Sequence, residues 1–186
     1  VIKLYRNGIF PMGDHNDNNQ IFWCNPIVRA VIPISKLHIS RSLKKLCRKK
    51  NFEFSINHDF LSTISNCANR KETWINKSIK STYSTLHDLG YAHSIEVWED
   101  KKLKGGLYGV AIGKVFFAES MFSTSSNGSK LALIALMGTL ALNKFLLLDV
   151  QFMTDHLRTM GAKEISRALF LNLIKKSTSE KVQFNE

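Results

Sequence analysis

Cysteine is scarce in this 186-residue chain: Cys24, Cys47 and Cys67 stand far apart and are odd in number. They form no CxxC pair, which excludes a disulfide framework and a zinc cluster of the usual spacing. No metal site is expected, and a reducing cytoplasm is the simplest location. Long apolar runs are also missing. The richest, Leu131 to Met137, falls well short of the roughly 20 residues that span a bilayer, so no membrane is expected. No secretory signal is visible. The chain opens on Val1 rather than Met, so a truncated N-terminus is expected. Chemical signatures are absent too. There is no Gly-x-Ser-x-Gly elbow, no Walker loop and no HExxH, and the six histidines (15, 38, 58, 87, 93, 156) show no ligand spacing. The loop from Ser123 to Lys130 holds a single glycine, Gly128. It therefore lacks the Gln/Arg-x-x-Gly-x-Gly/Ala turn that brings backbone amides to the pyrophosphate of coenzyme A, and no cofactor is expected.

Acidic residues are in deficit as well, 15 against 26 Lys and Arg, for a net charge of +11. That balance favours an anionic partner, nucleic acid before membrane surface. The charge is concentrated. Arg41, Lys44, Lys45, Arg48, Lys49 and Lys50 follow Ser40, a helix N-cap. Spacings of three and four put Arg41, Lys44, Lys45 and Arg48 on one side of that helix, either a solvated face or a contact for phosphates.

With 44% hydrophobic and 22% charged residues the chain reads as one globular unit with a small appendage. Residues 1 to 28, rich in turn residues and aromatics, read as a small N-terminal domain; residues 29 to 186 read as the main one. In the cap, Phe22 and Trp23 read as packing residues. The main unit opens on a strand over 30–34, then the basic helix, a strand at 52–56, and helices over 60–68 and 79–89, the last stopped by Gly90. A sheet follows. Ser94 to Trp98 alternates apolar and polar residues, 103–112 returns, and Gly113-Lys114 is a two-residue turn into 115–122. A helix over 129–143, apolar nearly all round, permits a crossover to a parallel strand at Phe145 to Phe152. Thr154 caps a helix that ends at Gly161, and a last helix spans about 166–175. The order is that of a mixed α/β layer.

Inside the strand Phe-Leu-Leu-Leu-Asp-Val-Gln-Phe sit two polar side chains, Asp149 and Gln151. Alternation puts both on one face. Burying an unpaired carboxylate costs several kcal/mol, roughly, so the pair either closes a structural hydrogen bond or lines a functional cavity. Glu119 lies among Phe116, Phe117 and Phe122 on the preceding strand. If the two strands are neighbours, two carboxylates and an amide meet in an aromatic pocket. Trp74, in Glu-Thr-Trp-Ile-Asn, is either a loop anchor or a platform on which a base stacks.

These residues fall into a pattern. Gly-Ile-Phe-Pro (8–11), His-Ile-Ser-Arg-Ser (38–42), Thr-Trp-Ile (73–75), Leu-His-Asp-Leu-Gly-Tyr-Ala-His-Ser-Ile-Glu-Val-Trp (86–98), Gly-Gly-Leu-Tyr-Gly-Val (105–110), Phe-Phe-Ala-Glu-Ser-Met-Phe-Ser (116–123), Asp-Val-Gln (149–151) and Gly-Ala-Lys-Glu-Ile (161–165) stand in the order of one family. Over nearly its whole length the chain resembles the leucyl/phenylalanyl-tRNA protein transferases. The resemblance implies an acetyltransferase-like (GNAT) α/β domain after a small N-terminal one. It implies an enzyme that moves Leu or Phe, with Met a further candidate, from aminoacyl-tRNA to a protein with N-terminal Arg or Lys, marking that protein for degradation. It would act without a cofactor, in the cytoplasm, as a monomer. By motif, Asp149 and Gln151 match the catalytic pair and Glu119 an active-site acid. Trp74 matches a contact to the terminal adenosine. Leu107, Phe116, Leu133, Leu136 and Leu148 match the pocket for the transferred side chain, and Ser120 falls in the same substrate-binding motif as Glu119. Met12 stands where the family often carries a second Trp against the adenosine, and a thioether can still pack on a ring. Two departures accompany it: Trp-Cys-Asn-Pro (23–26) replaces Trp-Trp-Ser-Pro, and the N-terminus is shorter than in many members. A transferase of Fem type acting on a peptidoglycan precursor, an acetyl-coenzyme-A enzyme and a non-catalytic tRNA-binding protein are the competing readings.

Overall fold

The computed structural model describes residues 1–14, 17, 19–48, 52–180, 182 and 184. Lys49 and Lys50 of the basic run, and His15, lie outside the described residues.

Strand and helix signals in the sequence map onto a seven-stranded sheet with helices on both faces. The described elements run α1 (Ile2–Tyr5), β1 (Phe10–Gly13), β2 (Ile21–Cys24), β3 (Val28–Pro33), α2 (Arg41–Cys47), β4 (Glu53–Ile56), α3 (Phe60–Ala68), α4 (Lys77–Asp88), β5 (Ala92–Glu99), β6 (Lys102–Ile112), β7 (Val115–Ser123), α5 (Gly128–Leu142), β8 (Leu147–Gln151), α6 (Asp155–Thr159), β9 (Lys163–Ser166) and α7 (Arg167–Ser177), with a 3-10 turn at Ile34–Lys36. The large sheet has the order β4-β5-β6-β7-β8-β3-β9. Every pairing is antiparallel except β7 with β8. An antiparallel meander, a crossover helix and one parallel strand that splays from its neighbour form the acetyltransferase-like core that the motifs imply.

Local chemistry sets the element ends. Side chains of Ser40, Asp59, Asn76, Thr154 and Ser166 each accept a hydrogen bond from the backbone N–H three residues on, capping α2, α3, α4, α6 and α7. Gly90 stops α4 at φ +74° and Gly113 turns β6 into β7 at φ +57°, conformations that cost glycine little. The sequence reading overlooks four elements: the single-turn helix α1, strands β1 and β2 of the N-terminal hairpin, and edge strand β9. Each is four residues long, too short to show a period, and β1 contains Pro11. Phe22 and Trp23 do not pack into the cap as expected. They are 48% and 46% exposed, because β2 turns Ile21 and Cys24 toward the core instead.

The sheet separates two apolar cores. One face, covered by α1, α3, α4 and α7, buries Tyr5, Phe10, Ile64, Ile79, Tyr83, Tyr108, Phe117 and Phe170. The other, covered by α5, buries Leu107, Phe116, Leu131, Leu133, Leu136, Leu140 and Leu148. The N-terminal hairpin forms its own two-stranded sheet, while Tyr5 and Phe10 reach into the first core.

Candidate active site

Strands β7 and β8 pair only at Val115, Phe116 and Phe117, opposite Leu147, Leu148 and Asp149. Beyond that point they part, and a β-bulge interrupts each of them. In β7 Gly109 pairs with Ala118 and Tyr108 with Ser120, so Glu119 is the extra residue. In β8 Val31 pairs with Asp149 and Ala30 with Gln151, skipping Val150, and Gln151 takes φ +62°. Bulges re-aim side chains where pairing ends. Here they turn Glu119 and Gln151 toward each other across the fork, and Gln151 Nε2 donates to Glu119 Oε1 at 2.9 Å.

Asp149 is buried behind this contact, and its partner is not the Gln151 side chain. Arg29, from β3, donates through Nε to Asp149 Oδ1 at 2.9 Å and through Nη2 to Oδ2 at 2.7 Å. The guanidinium sits between the rings of Phe10 and Phe170, 4.5 and 4.6 Å from their centroids, and its Nη1 donates to Gly8 O at 2.9 Å. Oδ1 of Asp149 also accepts the Gln151 backbone N–H at 3.0 Å. That bond holds a left-handed residue, a conformation that costs a non-glycine side chain about 1 kcal/mol or more. Asp149 is 0% exposed and does not line the cleft; it fixes the backbone from which Gln151 projects.

Two tyrosines support Glu119. Tyr5 donates to Glu119 Oε1 at 2.6 Å, and its hydroxyl also bonds that of Tyr83. Oε2 accepts no hydrogen bond. Burial, with the Asp149 charge adding to it, outweighs the hydroxyls of Tyr5 and Tyr83 and the Gln151 amide, and lifts the Glu119 carboxyl to about 7. Glu96, the other buried glutamate, accepts bonds from Ser55 Oγ and Ser94 Oγ and from the N–H groups of His58 and Asp59. That carboxylate is structural. Glu119 lines the cleft, and its unpartnered Oε2 is buried.

The opening is a cleft of about 480 Å³. Glu119, Ser120, Gln151, Met12 and Trp74 line it, joined by Arg70, Ala118, Met121, Val150, Phe152, His156 and Leu157. Met12 and Trp74 meet there because Gly13 N donates to Trp74 O at 2.9 Å, and a Cβ on Gly13 would lie 2.4 Å from that oxygen. The five apolar residues matched to the side-chain pocket lie elsewhere. Leu107, Phe116, Leu133, Leu136 and Leu148 are fully buried on the α5 side of the sheet and none faces the cleft. Ala118 and Val150, which belong to that same apolar core, also line the cleft. Arg41, Lys44, Lys45 and Arg48 are exposed on α2. The segment before α2 docks on the end of α6 through His38 N–H to Met160 O at 3.0 Å. Among the described residues no three Cys, His, Asp or Glu side chains gather to hold a metal, and no helix is long and apolar enough to cross a membrane.

Sequence reasoning missed Arg29, Tyr5, Tyr83 and Arg70. Arg29 and Asp149 are 120 positions apart, Tyr5 and Glu119 114. Only the antiparallel pairing of β3 with β8 and the docking of α1 bring them together.

Glu119 and Gln151, hydrogen-bonded to each other across the fork of the sheet, form one wall of the cleft. The family model for leucyl/phenylalanyl-tRNA protein transferase matches residues 31–175. Over 181 residues the chain is 45% identical to the enzyme of that name from Dinoroseobacter shibae, covering 97% of this chain and 81% of the relative. The Roseobacter denitrificans enzyme is 43% identical over 184 residues, covering 99% and 88%. Among solved structures, a GCN5-related N-acetyltransferase-like protein from Streptococcus suis aligns at a TM-score of 0.40 and 13% identity, over 75% of this chain and 60% of that one. The chain belongs to the leucyl/phenylalanyl-tRNA protein transferase family, and so to the aminoacyltransferases.

Proposed function

We propose that the fork cleft moves Leu or Phe from the 3′ end of aminoacyl-tRNA to the α-amine of a protein that begins with Arg or Lys. The observation that carries this reading is the Glu119–Gln151 contact at the double bulge. The family relationship supports it.

The ester is already activated, and an α-amine with a pKa of about 7.7–8.0 is partly free near neutrality. Positioning therefore supplies much of the acceleration. Gln151 Nε2 is committed to Glu119, so its Oε1 is free to accept a hydrogen bond from the amine. Glu119 draws in the ammonium form and takes its proton, which a carboxyl titrating near 7 can do. The amine attacks the ester carbonyl, the C–N bond forms and the C–O bond to the ribose breaks. The ribose hydroxyl leaves with the proton lost by the amine. Asp149 is a positioning residue that sets Gln151 through its backbone.

Trp74 and Met12 hold the terminal adenine. The Leu or Phe side chain enters between Ala118 and Val150 toward Leu107, Phe116, Leu133, Leu136 and Leu148. A charged side chain would be stranded there without a partner, which gives the selection for apolar residues. Arg41, Lys44, Lys45 and Arg48 hold tRNA phosphates without reading sequence. The enzyme acts in the cytoplasm as a monomer, with residues 1–28 as a small domain that closes one side of the cleft.

Radiolabelled Leu on its tRNA, offered to peptides starting with Arg, Lys or Ala and to a peptidoglycan precursor, tests the reading. Label on the Arg and Lys peptides alone is expected; label on the precursor alone, or none, contradicts it.

A further inference from the structure

Arg70 is a cation in the cleft that the chemistry above leaves unused. It follows α3 on the loop that leads to Trp74, and both side chains line the cleft. One nitrogen, Nη2, is tethered to β7: it donates to Ser120 Oγ at 3.1 Å and to the backbone carbonyl of Met121. The tether fixes the guanidinium at the open end of the fork, one residue beyond Glu119. No carboxylate among the described residues pairs with it, and the side chain is exposed. Arg29 shows the contrast: in the same protein, a guanidinium that is structural is buried, forked onto a carboxylate and sandwiched by rings.

A guanidinium carries five donors in a planar fork suited to phosphate. Arg70 spends one nitrogen on position and leaves Nε and Nη1 for a ligand. The acceptor side chain in the proposed reaction is cationic and would be repelled, so the ligand for this end of the cleft is the anionic one. The cleft is shared with Trp74, the platform for the terminal adenine. The nearest anion on an adenosine esterified at its 3′ oxygen is the phosphate on its 5′ oxygen.

Resting on the reading of this cleft as an aminoacyl-tRNA site, we infer that Arg70 grips the phosphate 5′ to the terminal adenosine and so sets the depth at which the ester meets Gln151. Arg70 is a substrate-binding residue. It serves the last nucleotide, apart from the sequence-blind contacts of α2.

The test compares two small donors, 3′-O-leucyl-adenosine and the same ester bearing a 5′-phosphate, with the full chain and an Arg-starting peptide. In the wild type the phosphate should raise kcat/KM about tenfold, the size of one charge-assisted contact. In Arg70→Ala the two donors should become equal, the advantage of the 5′-phosphate being lost. Arg70→Lys should recover part of the gain. The wild-type comparison needs no variant, so misfolding of Arg70→Ala cannot shield the inference. Equal use of both donors by the wild type, or an undiminished phosphate gain in Arg70→Ala, overturns the Arg70 assignment alone. Failure of the wild type to use leucyl-tRNA at all overturns the functional reading instead.

Discussion

Gln151 and Glu119 come from strands that have already parted, yet the amide nitrogen of one lies 2.9 Å from a carboxylate oxygen of the other. The bond spans the fork only because each strand carries one extra residue there. It also sets the orientation of the amide, since a carboxylate takes the NH₂ end and the carbonyl oxygen is turned away from Glu119.

Glu119→Gln should separate the two titrations in the reaction. In the wild type, log kcat/KM for transfer should rise with pH through about 7 as Glu119 ionises. In the variant that inflection should vanish and only that of the α-amine, about 7.7–8.0, remain. A pH–rate profile from 5.5 to 9 checks it.

The same group ties stability to pH. Its carboxyl is raised from 4.5 to about 7, so between those values the native chain keeps a proton that the unfolded chain has lost. Stability from this group is complete below 4.5 and is lost as pH rises to 7, on the order of 3 kcal/mol. His93 acts the other way. Burial first, and then His87, lowers it from 6.5 to about 4, so its contribution is lost as pH falls from 6.5 to 4. The two effects oppose each other between about 4.5 and 6.5, and only Glu119 acts from there to 7. Urea melts of Glu119→Gln should show its stability relative to wild type climbing by about that 3 kcal/mol between pH 4.5 and 8.

Breaking the Arg29–Asp149 pair from one side should cost about 3–5 kcal/mol, because it strands a buried charge. Asp149→Leu should therefore lower both Tm and transfer. Adding Arg29→Met should restore much of the Tm. It should leave transfer impaired, because the Gln151 N–H still lacks its acceptor. Recovery of both together would mean that the pair serves stability only.

Charge reversal of Arg41, Lys44, Lys45 and Arg48 to Glu should weaken tRNA binding and flatten its salt dependence, each lost phosphate contact removing about 0.7–0.9 from the slope of log K against log salt. These side chains are exposed, so the fold should survive, which a circular dichroism melt checks. Titration at several salt concentrations reads the slope.

Much of this architecture was legible in the chain. Ser40, Gly90 and the Gly113 turn marked element ends, and the apolar α5 segment announced the crossover that sets β8 beside β7. Alternation grouped Asp149 with Gln151, and both are buried, but Asp149 bonds Arg29 and the Gln151 N–H and does not line the cleft with Gln151. Alternation alone would have sent Glu119 and Ser120 to opposite faces. The bulge that places both on the cleft leaves no local trace in Ala-Glu-Ser-Met. Arg29 looked like the start of an ordinary strand, and nothing near it in sequence announces a carboxylate. Tyr5 belongs to a helix of four residues, below any periodic signal. The leucines and Phe116 matched to the side-chain pocket read as core because they are core, packed with Ala118 and Val150, which also line the cleft.

The most direct test is a single-turnover transfer assay with leucyl-tRNA already bound and the Arg-starting peptide added last, comparing wild type with Gln151→Ala. The account predicts a rate about 10²-fold lower, with unchanged affinity for leucyl-tRNA. A near-wild-type rate would contradict it, as would a loss confined to tRNA affinity.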